Sequence, residues 1–166
     1  ILPYDSTVQD FLSVSPDGIM LSNGPGDPAD NLEIVENLKK LIDTNIPIFG
    51  ICLGHQILAL ANGFKTHKLK YGHRGANQPV KDTYNGRVYI TSQNHGYAVT
   101  SNSIDPRVAD EWFVNVNDGT SEGILYKNTA AFSVQFHPEA CGGPLDTAFL
   151  FDRFIQSMEV RKHAPQ

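Results

Sequence analysis

An apolar stretch that leads into a cysteine between two glycines constrains this chain more than any other feature. Residues 46–51 are rich in β-branched side chains, and Cys52 follows between Gly50 and Gly54. The next residues place apolar side chains at helical spacing, at Leu53, Ile57, Leu60 and Ala61. This pattern predicts a buried strand, a tight turn and an amphipathic helix.

The spacing Gly50-x-Cys52-x-Gly54 is typical of a nucleophile elbow in which sulfur replaces the serine hydroxyl. Glycines permit a sharp turn and a close approach of substrate, and the dipole at a helix N-terminus favours the thiolate. An isolated cysteine is more often a structural residue. The glycines at a strand-to-helix junction make Cys52 the candidate nucleophile.

The surrounding segments alternate between strand and helix. We predict a strand over residues 17–22 and helices over 31–43 and 146–159, the last with Phe149, Leu150, Phe154 and Ile155 buried. Residues 64–136 show short alternating runs that favour antiparallel strands. The chain is therefore predicted to be α/β, with a doubly wound, mostly parallel sheet flanked by helices and an additional antiparallel portion.

Composition excludes several classes of function. The chain has 166 residues, 40% hydrophobic and 19% charged, with a net charge of −5, which predicts one globular domain. The sequence has no basic cluster, which argues against nucleic acid or an anionic membrane as a partner. No apolar run approaches the roughly 20 residues of a membrane span. Two cysteines cannot form a disulfide framework, so we expect a cytoplasmic protein.

A cysteine nucleophile needs a base, and His137 is the first of six histidines to consider. It ends an apolar strand and is followed by Pro138, which keeps it extended. Glu139 then points to the same side and can orient the ring. The carboxyl ends of parallel strands share one rim of the sheet, which would bring His137 to Cys52. His55, on the elbow helix, ranks second because no carboxylate follows it.

Two further features bear on the chemistry. Cys52, His137, Glu139 and Cys141 could hold a metal, but their spacing does not match a structural zinc site, so we predict none. An oxyanion needs hydrogen-bond donors. The amide of Leu53 and the turn Gly24-Pro25-Gly26 are the natural sources.

Together these residues resemble the class I (triad-type) glutamine amidotransferases, whose fold is flavodoxin-like. Within that family the chain looks most like the glutaminase domain of the carbamoyl-phosphate synthase small subunit. That narrower resemblance is carried by SNGPGDP at 22–28, FGICLGHQ at 49–56, KYGHRG at 70–75, NQP at 77–79, SQNHGY at 92–97, QFHPE at 135–139 and LFD at 150–152.

The resemblance implies a role for each matching residue. Cys52 would attack the side-chain amide of L-glutamine, His137 would transfer protons, and Glu139 would orient His137. The remaining matches imply oxyanion and substrate contacts from Gly24, Gly26, Leu53, Gln56, Asn94, Gly96 and Tyr97. The composition of residues 94–96 would also suit a hairpin turn.

The resemblance also implies the partners. Ammonia would pass to the carbamoyl-phosphate synthase large subunit, for pyrimidine and arginine biosynthesis. ATP and Mg²⁺ would bind only there, because this sequence has no phosphate-binding loop, and we expect no cofactor in this chain.

The resemblance further indicates a domain at residues 1–160 that lacks its first strand, with a tail at 161–166. We therefore expect a fragment of a longer chain that folds poorly alone. One rival is the glutaminase of another synthase or a γ-glutamyl hydrolase. A rival of a different class is a non-catalytic regulatory or scaffolding subunit, which the intact Cys52, His137 and Glu139 disfavour.

Overall fold

A computed structural model describes residues 1–140 and 146–163, which form a mixed sheet covered by helices. The seven strands are β1 Ile19–Leu21, β2 Ile48–Ile51, β3 Thr66–Asp82, β4 Val88–Val99, β5 Ala109–Asn115, β6 Ser121–Tyr126 and β7 Ala131–Val134. The helices are α1 Val8–Ser13, α2 Leu32–Ile42, α3 Leu53–Ala61 and α4 Phe149–His163. None of the helices in these ranges is both long and apolar enough to cross a membrane.

The strands are ordered β1-β2-β7-β6-β5-β3-β4 across the sheet. β1, β2 and β7 are parallel, with β2 in the middle. All four residues of β2 are buried, as are all four of β7. Continuous apolar strands of this kind are typical of a parallel sheet covered on both faces. The α/β prediction is confirmed, but the sheet is mixed instead of mostly parallel, since four of the six strand pairings among the described residues are antiparallel.

The other four strands form the antiparallel portion that the sequence predicts. β6 joins it to the parallel strands by pairing antiparallel with β7. β5 pairs with β6 and β3, and β3 pairs with β4 over a long, irregular ladder. The alternative of a hairpin turn at residues 94–96 is wrong, because these residues lie inside β4 opposite residues 73 and 74 of β3.

Two apolar clusters hold the helices on the sheet. One contains residues of α2 and α3, among them Leu38 and Leu58, packed against Ile48 of β2. The other is aromatic and places Phe154 of α4 against Phe49 at a ring distance of 5.8 Å. Burying the apolar side of each helix in this way is the main source of its stability.

The predicted last helix needs correction in two respects. It runs over Phe149–His163 instead of 146–159. Leu150 and Phe154 are buried, but Phe149 and Ile155 are 36% and 50% exposed. Successive side chains diverge by about 100° around a helix, so one neighbour of each buried residue turns to solvent.

Candidate active site

Cys52 sits at the N-cap of α3 with a strained backbone, at φ 54° and ψ −105°. Such a conformation is uncommon for a residue other than glycine and persists only where its surroundings enforce it. The flanking glycines are part of those surroundings. A Cβ on Gly50 would lie 2.8 Å from the Gly54 carbonyl oxygen, and one on Gly54 would collide with the Leu21 carbonyl. The predicted elbow is confirmed in its geometry.

The sheet register brings Cys52 to the end of β7. The Cys52 amide donates to the Val134 carbonyl at 2.9 Å, continuing the β2–β7 ladder by one residue. Three residues beyond Val134, the His137 amide donates to the Ser92 carbonyl of β4 at 2.9 Å. His137 is therefore held by main-chain contacts on the rim where β2 ends, as the parallel topology predicts.

The predicted triad partners are in contact. His137 Nδ1 lies 2.7 Å from Glu139 Oε1. The His137 ring lines the same cavity as Cys52 and interacts with its side chain. The contact with Cys52, followed by that with Glu139, raises the pKa of His137 to about 10. Partial burial opposes the shift of Glu139, but the hydrogen bond from His137 keeps the pKa of that carboxyl below its usual value. Glu139 thus favours the protonated ring and fixes Nδ1 as a donor.

His55, the second-ranked base, is placed differently. It is fully buried, and its Nδ1 lies 2.8 Å from Ser133 Oγ. Burial, followed by the influence of His95, lowers the pKa of His55 to about 3. These contacts favour His137 as the proton-transfer residue. Unlike His55, His137 lies between the cysteine and a carboxylate.

A cavity of about 570 Å³ opens above the cysteine. Four of the predicted site residues line it, namely Gly24, Cys52, Asn94 and His137. Gly24 packs closely on the helix start, since a Cβ there would lie 2.7 Å from Leu53 Cδ2. Gly26 has φ 98°, which suits glycine at the end of this turn. The Gly24 turn therefore lines the same cavity as Cys52 and packs against the first residue of α3.

Gln56 and Tyr97 are not among the described residues that line the cavity, but they contact each other. Gln56 Nε2 donates to the Tyr97 carbonyl at 2.7 Å and to Gln135 Oε1 at 2.8 Å. Desolvation, followed by the Asp27 carboxylate after the Gly24 turn, raises the pKa of the Tyr97 hydroxyl. The Gln56 side chain thus links α3 to β4. Gly96 lies beside these residues in β4, where an added Cβ would meet only Arg74 Nη2, at 4.0 Å.

Pro25 of the predicted glycine turn also lines the cavity. Further lining residues were not assigned from the sequence, namely Asn23, Gly75, Ala76, Ser92, Gln93 and Ala140. Gly75 has φ 124°, a backbone angle that favours glycine. Its place at the end of the 70–75 motif was the signal that could have identified it from the sequence. Ser92 and Gln93 contribute through strand pairing, which no local pattern predicts. Cys141, considered above as a metal ligand, lies outside the described residues.

Both the sequence and the fold of this chain match known proteins. Residues 1–157 match the family described as glutamine amidotransferase class-I, and the chain belongs to that family. A candidate GMP synthase component from Thermoplasma acidophilum has the same fold, with a TM-score of 0.82 over 98% of this chain and 81% of that chain at 24% identity. A glutamine amidotransferase from Thermotoga maritima gives a TM-score of 0.60 over 87% and 64% at 23% identity.

Two curated relatives within the family are both named carbamoyl phosphate synthase small chain. The chain is 52% identical to the carbamoyl phosphate synthase small chain of Caldanaerobacter subterraneus over 98% of its own length and 45% of the relative's. It is 55% identical to that of Methanopyrus kandleri, over 93% and 43%. The chain spans about half the length of these relatives.

Proposed function

We propose that this chain hydrolyses L-glutamine to glutamate and ammonia through a γ-glutamyl thioester on Cys52. The observation that carries the proposal is the contact chain from Cys52 to His137 to Glu139, placed beside a 570 Å³ cavity. A nucleophile, a base and an orienting carboxylate in that order are the requirements of acyl transfer by a cysteine.

The chemistry follows from these positions. The Cys52 thiolate attacks the amide carbon of glutamine, and the carbonyl oxygen takes the electron pair. Backbone amides of Leu53 and Gly24 would stabilise that oxyanion, since the first amides of a helix lack intrahelical partners. Protonated His137 gives its proton to the leaving nitrogen, so the carbon–nitrogen bond breaks and ammonia departs. Neutral His137 then takes a proton from water, whose oxygen displaces the sulfur and releases glutamate.

Recognition of glutamine would fall to the β4 side of the cavity. Asn94 lines it and offers an amide with both donor and acceptor atoms. Gly96 and Tyr97 follow on the same strand, and Gln56 holds the Tyr97 carbonyl. A free amino acid carries both an ammonium and a carboxylate group, so fixed polar partners of both kinds suit it.

The fate of the ammonia is part of the proposal. The 52–55% identity to carbamoyl phosphate synthase small chains supports delivery to the large subunit of that synthase, for pyrimidine and arginine biosynthesis. ATP and Mg²⁺ would act there, and the glutaminase steps above require no cofactor. The proposal places the enzyme in the cytoplasm, where a catalytic thiol stays reduced.

Ammonia release from glutamine tests the proposal, measured for the wild type and Cys52→Ser. We expect a loss of at least about 100-fold, because a serine hydroxyl lacks the reactivity of a thiolate. Cys141→Ser, which changes the chain's other cysteine, is the matched control and should retain activity. Glutamine hydrolysis that survives in Cys52→Ser contradicts the mechanism. An inactive wild type that still binds a synthetase subunit supports the scaffolding alternative.

A further inference from the structure

A second group of chemically active side chains lies beneath β4, outside the catalytic triad. His73, His95 and Glu122 are all buried, and one potential ligand atom from each lies within 4.8 Å of the others. They come from three different strands. His73 of β3 is directly opposite His95 of β4, and their rings meet edge to face at 4.9 Å. Glu122 comes from β6, and its side chain is completely buried.

The outer nitrogen of each histidine already has an acceptor. His95 Nδ1 lies 2.8 Å from the Tyr97 carbonyl oxygen, and His73 Nε2 lies 2.9 Å from Asp118 Oδ2. Both rings must donate a proton outwards to make these bonds. A neutral ring then carries a bare lone pair on its inner nitrogen. This arrangement, with a carbonyl or carboxylate behind the ring, is the usual support of a metal-binding histidine.

The inner nitrogens face oxygen atoms that also accept. His73 Nδ1 lies 3.1 Å from both Gln93 Oε1 and Glu122 Oε1. His95 Nε2 lies 2.9 Å from the same Gln93 oxygen. Within the described part of the chain, the second Glu122 oxygen, Oε2, is buried without a hydrogen-bond partner. Asn115 Nδ2 donates to Glu122 Oε1 at 3.2 Å. Four acceptor atoms nevertheless converge in a buried space, which is unfavourable unless a positive charge joins them.

One added proton does not satisfy the whole group. A protonated His73 can donate to Glu122 or Gln93, but His95 Nε2 still faces the Gln93 oxygen. With the Gln93 amide reversed, its NH₂ can donate to His95 Nε2. A protonated His73 then sets its N–H against that NH₂, whereas a neutral His73 leaves its lone pair facing the Glu122 carboxylate.

We propose that His73 Nδ1, His95 Nε2, Glu122 and the Gln93 amide oxygen bind one divalent zinc-class cation. Ligand atoms around a tetrahedral ion are about 3.3–3.6 Å apart, since each bond is about 2.0–2.2 Å long. The observed separations of 2.9–3.1 Å are a few tenths of an ångström shorter, so the side chains would move apart slightly when the ion enters. Two imidazole ligands favour Zn²⁺ over Mg²⁺ or Ca²⁺, which prefer oxygen. The ion would brace the strand that carries Asn94, Gly96 and Tyr97.

The test is the zinc content and affinity of the full chain after it is stripped with a chelator and titrated with Zn²⁺. We expect one equivalent per chain in the wild type. Glu122→Gln keeps the size of the side chain and should abolish that equivalent. Asp118→Asn, which acts only through the outer nitrogen of His73, should weaken the affinity by about 10- to 100-fold. His67→Gln is the control, because His67 lies on the same strand but bonds Thr100.

Two further variants keep the test decisive. Gln93→Glu supplies a stronger ligand and should retain the equivalent, with thermal unfolding confirming that each variant is folded. Cys52→Ser removes the thiol that lines a cavity together with His137, a second pair of groups that could bind zinc, and it should also retain the equivalent. Loss of zinc in Cys52→Ser but not in Glu122→Gln overturns the proposal, as does a wild type that binds no zinc. A wild type without zinc would mean that protons alone satisfy the cluster.

Discussion

At the residue scale, the site depends on glycines whose missing side chains make room for backbone. Gly50 lets the start of α3 fold back on β2, and Gly54 lets α3 lie against β1. The strained dihedral angles of Cys52 are the consequence of this packing. The position of Cys52 therefore depends on two neighbouring residues that have no side chain.

Gly54→Ala tests this packing. A Cβ at this position would meet the Leu21 carbonyl and lie 2.7 Å from Leu21 Cβ, so β1 and α3 must separate. We expect the free energy of unfolding to fall by about 1–3 kcal/mol, measured by chemical denaturation. Gly96→Ala is the comparison, because its Cβ would have only Arg74 Nη2 at 4.0 Å. Equal losses in the two variants would refute the close-packing argument.

The His137–Glu139 pair predicts a pH dependence. The folded pKa of His137 is raised from 6.5 to about 10, so its contribution to stability is complete below pH 6.5 and is lost as pH rises through about 10. The folded pKa of Glu139 is lowered, so its contribution is complete above pH 4.5 and is lost on acidification. The pair is fully effective between pH 4.5 and 6.5.

Glu139→Gln checks that dependence. It removes one of the two interactions that raise the pKa of His137, so an NMR titration of the His137 ring should show a lower value than in the wild type. The stability difference between the two proteins should shrink above pH 6.5. An unchanged titration would show that Glu139 does not orient the ring.

At the scale of elements, α4 attaches to the sheet through one narrow apolar face. Leu150 is fully buried and Phe154 nearly so, whereas Ile155 is half exposed. Leu150→Ala should therefore lower the free energy of unfolding by about 2–5 kcal/mol. Ile155→Ala should change it by less than about 1 kcal/mol. Thermal or urea unfolding of both variants gives the comparison, and a reversed order would mean that α4 packs on its other face.

The elements also show what the sequence could and could not predict. Residues 46–61 carried a strand, an elbow and a helix in local periodicity and glycine spacing, so β2, Cys52 and α3 were predictable. His137 and Glu139 followed from their position after a strand. The pairing of His73 with His95, and of both with Glu122, depends on the register of β3, β4 and β6. That register is a long-range property, and no local pattern encodes it.

At the scale of the whole molecule, parallel and antiparallel strands of one sheet both contribute residues to the candidate site. The parallel strands β2 and β7 end on one rim and deliver Cys52 and His137. The antiparallel strand β4 then crosses to the same rim, where the Ser92 carbonyl holds the His137 amide and Asn94 faces the cavity. Nucleophile, base and predicted substrate contacts therefore come from both halves of one sheet.

In the proposed mechanism, Cys52 carries a γ-glutamyl thioester during glutamine hydrolysis. The direct measurement is to mix the protein with isotope-labelled glutamine, quench it in acid during turnover, and locate the label by peptide mass spectrometry. We predict label on the peptide that contains Cys52, in the wild type and not in Cys52→Ser. Ammonia release by a wild type that carries no label, or label on another residue, would contradict the account.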